Sequence, residues 1–176
     1  MVADAVNGIL LLNTLDIAKE ANIAHGTVFA HFPNKEMLIS NIIETELKSI
    51  ARNLKEMIDN QSDGIGILLG NYMNLLAQNE DFFVVIAKEF PFLNPNLQKS
   101  IISTESIIKN IIYQHIETGI KNGIYKQIDI TMSLSFLFGT INYYLSRKEY
   151  FITKNDKIIM EKKQQIIDIF FEIINP

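Results

Sequence analysis

The chain has 176 residues, 48% of them hydrophobic and 20% charged, with a formal net charge of −4 and no cysteine. That composition holds enough apolar mass for a packed core and excludes a disordered chain, a collagen-like repeat, a disulfide scaffold and cysteine-ligated zinc. No apolar run nears the roughly 18 residues of a membrane span and no basic segment precedes Ile9-Leu10-Leu11-Leu12, so a cytoplasmic protein with no membrane partner is expected. The sequence pI of about 5.4 argues against a broad basic surface and leaves room for a small DNA contact.

Glycines and prolines are few, and apolar residues recur at three- and four-residue spacing over stretches longer than a strand. The spacing predicts an all-α chain of eight to nine helices, at about 3–11, 14–21, 25–31, 35–60, 65–78, 81–90, 96–121, 129–150 and 156–174. The first three are short and the rest long. A small N-terminal unit, 1–47, is therefore expected to be fused to a larger helical bundle, 48–176, with the fourth helix shared between them.

The segment Thr14 to Leu38 reads TLDIAKEANIAHGTVFAHFPNKEML. Asn13 is placed to cap a helix with Asp16 in its first turn and a narrow seam of Ile17, Ala18 and Ala21. Asn22 stands where a positive φ is needed, so the chain turns sharply and restarts at His25. The helix His25-Gly26-Thr27-Val28-Phe29-Ala30-His31 is too short to persist alone and must be held by packing through Val28 and Phe32. Helix, short turn, helix is the helix-turn-helix arrangement. Asn34 caps the following helix, and Lys35 in its first turn opposes the helix dipole, which an external phosphate would offset.

This run resembles the helix-turn-helix of the tetracycline-repressor (TetR) family, I-A-x-x-A-G-V-S-x-G-T-L-Y-x-H-F-x-[NS]-K-E-x-L. Ile17, Ala18, Ala21, Gly26, Thr27, His31, Phe32, Asn34, Lys35, Glu36 and Leu38 match as they stand, and Ile23, Val28 and Phe29 are close substitutions. Further along, Gly119-Ile120-Lys121-Asn122-Gly123-Ile124-Tyr125 is similar to the family's glycine turn before its penultimate helix. The resemblance implies a dimeric regulator, a repressor released from a palindromic operator by a small molecule, that needs no cofactor. Carried over by position, Thr27 would contact base or phosphate, and His25 and Ala30 would face base edges. Lys35 would grip phosphate, with Asn13 or Thr14 as the contact from the preceding helix, and Gly26, Phe29 and His31 complete the DNA-facing set.

Four departures stand out. The family's capping Ser is Ala24, its phosphate-binding Tyr is Phe29, its positive-φ Gly is Asn22, and only about a dozen residues, with Asp4 the sole charge, precede the motif. His31 and Phe32 also suit a purely structural role in a small core.

In the bundle, aromatic residues gather between the fifth and eighth helices. Tyr72, Phe92, Tyr113, Phe136 and Tyr143, with Asn71, Gln114 and Asn142 for orientation, are the expected lining of a pocket for a small apolar or aromatic ligand. The last two helices carry more apolar residues than one stripe. Leu134, Leu137, Phe138, Ile141 and Leu145, with Ile159, Ile166, Phe170 and Ile173, are the expected homodimer interface, and burial inside one bundle is the alternative. No catalytic or nucleotide-binding motif occurs, and His25, His31 and His115 are too dispersed to pair, so enzymatic activity is not expected. The competing reading is a helical dimeric interaction protein that has lost DNA binding through its short head.

Overall fold

Residues 8, 13–59, 64–151 and 156–176 are described by the computed structural model. Among them the backbone forms eight α-helices and two three-residue 3-10 turns, with no strand. The expected helix at 3–11 lies outside the described residues apart from Gly8. The others stand close to where apolar periodicity put them: α1 Thr14–Glu20, α2 His25–His31, α3 Lys35–Asp59, α4 Ile65–Gln78, α5 Glu80–Glu89, α6 Pro95–Lys121, α7 Ile130–Ser146 and α8 Ile158–Ile174. None of them is long and apolar enough to cross a membrane.

Four of these helices start on a side chain that accepts an amide hydrogen otherwise left over at a helix N-terminus. Asn13 accepts from the Leu15 N–H at 3.0 Å and Asn34 from the Met37 N–H at 2.9 Å. Asn94 does the same for Leu97 at 3.0 Å, and Asp129 for Met132 at 2.9 Å. At the far end of α6 the expected glycine turn forms. Gly123 takes φ +69°, the Ile124 N–H reaches the Gly119 carbonyl at 2.8 Å, and a Cβ on Gly119 would collide with the Tyr125 ring.

Packing divides the apolar residues into two cores. A small one joins Ala18, Val28 and Leu38, with Ile17, Phe32 and Ile42 around it. Ala21, expected on the same seam, is exposed. The large core runs through α3 to α8 and begins with Ile39. Leu38 and Ile39 are successive residues about 100° apart around one helix, so the start of α3 belongs to both cores at once. In the bundle α8 packs on α4 and α7, and α6 on α3 and α7.

The largest departure from periodicity comes after α7, which ends at Ser146 and gives way to the 3-10 turn Lys148–Tyr150. Lys148 turns inward here, its ammonium 2.9 Å from Glu80 and 3.4 Å from Asp81. Glu80, at the start of α5, is wholly buried and accepts from the Ile158 N–H at 3.1 Å and the Ile159 N–H at 2.8 Å. α8 has no capping side chain of its own at Lys157. A carboxylate 78 residues earlier in the chain supplies that function, and the buried charge is held by two amides and one ammonium.

Candidate nucleic-acid interface and ligand cavity

The head is built from backbone upward. α1 closes with the Ala21 N–H on the Ile17 carbonyl at 2.9 Å, and Asn22 takes φ 54°, the left-handed conformation that Asn tolerates. The chain restarts at Ala24, which caps α2 with no side-chain bond, as its methyl group dictates. Of the seven residues of α2 only Val28 is buried. Gly26, Thr27, Phe29, Ala30 and His31 are exposed, so α2 turns one edge into the small core and the rest outward.

His25 is half-buried, because its Nε2 shares a hydrogen bond with Thr14 Oγ1 at 3.0 Å and its ring meets Phe29 edge-on at 4.9 Å. That bond ties the N-terminus of α1 to the N-terminus of α2. Asn13 is exposed and its carbonyl oxygen is engaged by α1. Lys35, the first residue of α3, is half-buried. A Cβ added to Gly26 would meet nothing within 4 Å, so internal packing does not require glycine at this position.

A cavity of about 90 Å³ opens between α3, α4, α5, α6 and α7. Leu47, Ile50, Leu54, Leu76, Phe83, Ile101, Ile108, Phe138 and Ile141 make it apolar, while Tyr72, Thr104, Glu105 and Asn142 supply its polar groups. Of the expected lining residues, Tyr72 and Asn142 are on this wall. The others lie away from it. Asn71 and Tyr143 are each one residue from a lining residue and so about 100° off around their helix. Phe92 is 74% exposed in the turn after α5, Phe136 is 62% exposed, Gln114 is exposed, and Tyr113 packs on the outside of the core. Thr104 and Glu105 are the lining residues that sequence reasoning missed. They had a signal: they fall between Ile101 and Ile108, where the buried stripe of α6 calls for an apolar residue.

The outer face of α7 and α8 is apolar too. The residues Leu134, Phe138, Ile141 and Leu145, expected at an interface, are buried in the protomer's own core, as is Ile159. They form a single stripe at helical spacing, and that stripe already has partners inside the bundle. Leu137, Ile166 and Phe170 are buried as well but floor a surface groove of about 470 Å³, which Ile173 also lines. Its walls are Phe136, Thr140, Tyr144 and Ile169, the last 59% exposed, with the polar Gln165 and Asp168 beside them.

Asn94 joins the bundle to the head. Its amide nitrogen donates to Glu36 Oε1 at 3.1 Å and to Ser40 Oγ at 3.5 Å while its oxygen caps α6. The helix that lines the cavity with Ile101, Thr104 and Glu105 is thus fastened, at its first turn, to the first two turns of α3.

Comparison with known proteins agrees with this architecture. Residues 5–42 match the family model of bacterial regulatory proteins of the tetR family, and residues 59–146 match the model of the tetracyclin repressor-like C-terminal domain. A fatty acid metabolism regulator protein of Bacillus subtilis is 25% identical over 142 residues, spanning 78% of this chain and 73% of the relative. The ketosteroid transcriptional regulator KstR2 of Mycobacterium tuberculosis has a similar fold, with TM-score 0.76, 16% identity and coverage of 99% and 91% of the two chains. So has the Bacillus subtilis regulator FadR in complex with stearoyl-CoA, with TM-score 0.72, 20% identity and coverage of 96% and 92%.

Proposed function

The chain belongs to the tetR family of bacterial regulatory proteins, and we propose that it acts as a homodimer that holds a palindromic operator with α2 and releases it on binding a fatty-acyl ligand. It is a transcriptional regulator with a DNA-binding helix-turn-helix and a ligand-binding C-terminal domain. The division into a reading head, 1–47, and a sensing and dimerisation domain, 48–176, falls inside α3.

The outward face of α2 carries the DNA reading. Thr27, Ala30 and Gly26 present a hydroxyl, a methyl and bare backbone, and Lys35 with the amides at the start of α3 suits a phosphate. Phe29 and His31 flank that surface, and Thr14, His25 and Asn13 fix its geometry through the bonds they make with one another and with α1. Glycine in a helix has no internal justification at position 26, so access for a nucleic-acid backbone is its use. Replacing Gly26 by alanine is therefore expected to leave thermal stability equal or higher, by up to about 0.5 kcal/mol, while weakening operator binding about tenfold. The test is retention of a palindromic duplex from flanking intergenic DNA in about 50 mM salt, with a steep fall as salt rises. No retention by the wild type favours the interaction-protein reading.

An apolar chain as ligand is supported by the walls of the cavity and by the fatty acid metabolism regulator among the relatives. Ligand sites hold roughly 300–1,000 Å³, several times the present cavity, so a chain that enters must part α3 from α6. Parting them draws on the Asn94 bonds to Glu36 and Ser40 and moves the head that α3 carries. Asn94→Asp keeps the α6 cap and sets a carboxylate against Glu36. It is expected to shift operator affinity about threefold to tenfold, with melting temperature nearly unchanged; a variant with wild-type DNA binding and ligand response counts against this coupling.

A further inference from the structure

We propose that α2 reads thymine methyl groups, so that each half of the operator is chosen through A·T pairs rather than through guanine. The inference rests on α2 being the helix that enters the major groove, as proposed above.

Val28 is the one buried residue of α2, and it fixes how the helix is turned. At 100° per residue, Gly26 and Ala30 each lie about 160° from Val28, and both are exposed. They form the line of the helix that points directly away from the small core. Thr27 and Phe29 flank that line at about 100° from Val28, both exposed, Phe29 by 43%. His25 and His31 fall about 60° from Val28, back towards the body of the head, although His31 is exposed. His25 is further engaged there by Thr14 Oγ1 and by the Phe29 ring. The outermost face of α2 is therefore bare backbone, two methyl groups, one ring and one hydroxyl.

No arginine, lysine, asparagine, glutamine or carboxylate occurs anywhere in this helix. Those are the side chains that read bases by paired or charged hydrogen bonds: Arg and Lys take guanine O6 and N7, Asn and Gln take adenine, and Asp and Glu take the cytosine amino group. Without them, a G·C pair presents the apolar part of this face with polar edge groups that it leaves unmatched. A T·A pair presents the thymine 5-methyl, against which Ala, Thr and Phe carbons pack. The Thr27 hydroxyl serves either pair, so the methyl decides. The turn before α2 continues the same chemistry, with Ile23 46% exposed and Ala24 exposed.

The probe is a pool of duplexes with a randomised core, carried through retention by the full chain in about 50 mM salt. Retained duplexes are expected to carry thymine at fixed positions in each half-site. Each such thymine is then replaced by deoxyuridine, which removes the 5-methyl and leaves every hydrogen-bonding group and phosphate charge in place. Affinity is expected to fall about threefold to fivefold at each contacted position, as for the exposure of one methyl group, with the dependence on salt unchanged. Ala30→Arg, on the outward line, is expected to move the selection at one position from thymine to guanine. Equal affinity for thymine and uracil duplexes, wild-type half-sites fixed by G·C pairs, or a selection that Ala30→Arg leaves unchanged overturns methyl reading by α2 while the chain remains an operator binder. Enrichment of no duplex overturns both.

Discussion

Replacing Glu80 by alanine is expected to destabilise the fold by about 3–5 kcal/mol, the usual range when one partner of a buried ion pair is removed. Two α8 amides, on Ile158 and Ile159, lose their acceptor in a site that water does not reach, and the Lys148 ammonium keeps only the more distant Asp81. At this chain length about 3 kcal/mol corresponds to a fall of roughly 6–12 °C in melting temperature. Glu80→Gln retains one carbonyl oxygen as an acceptor and is expected to lose about half as much. Because Glu80 also caps α8, Lys148→Met should be milder than Glu80→Ala, and the double variant should lie close to Glu80→Ala rather than at the sum. Thermal unfolding of the four proteins checks this. A melting temperature for Glu80→Ala within 2 °C of wild type would show that α8 starts without it.

With the homodimer proposed above, replacing Ile169 by lysine is expected to leave the chain monomeric and to lower operator affinity more than a hundredfold. The side chain is 59% exposed beside the 62% exposed Phe136, on a groove floored by Leu137, Ile166 and Phe170. Exposed apolar faces of this kind mark interaction surfaces, and two ammonium groups brought together across a symmetric contact repel. Loss of the partner leaves one reading head per molecule, and the second half-site contact then has to come from solution rather than from the same dimer. Since little of Ile169 is packed within its own protomer, stability of the isolated chain should change by about 0.5 kcal/mol or less. Sedimentation and duplex retention measure the two effects separately. A variant that stays dimeric at wild-type affinity would place the interface elsewhere.

The head shows how far local chemistry carries. Asn13 and Asn34 cap the helices their positions foretell, and Asn22 adopts its left-handed turn, because each of these events is settled within about four residues of chain. Most helix spans also followed from the spacing of apolar residues, the end of α7 excepted. Spacing is silent, however, on which of two apolar stripes on α7 turns inward. Leu134, Phe138, Ile141 and Leu145 face the protein's own core, and the other row, with Phe136 and Thr140, lines the surface groove. The same ambiguity separates Asn142, on the cavity wall, from Tyr143, whose ring packs with Tyr144 and Phe151 under Arg147.

The amino-acid sequence by itself determined the all-helical class, the approximate place of most helices and the helix-turn-helix, since these depend on periodicity, caps and turns that act over a few residues. Only the tertiary structure decided that Glu80 caps α8, that Asn94 fastens α6 to α3, and that Tyr72, Glu105 and Asn142 share one cavity. Those pairings join residues tens of positions apart, and their partners are fixed by how the helices rotate and dock against one another, which no local pattern encodes.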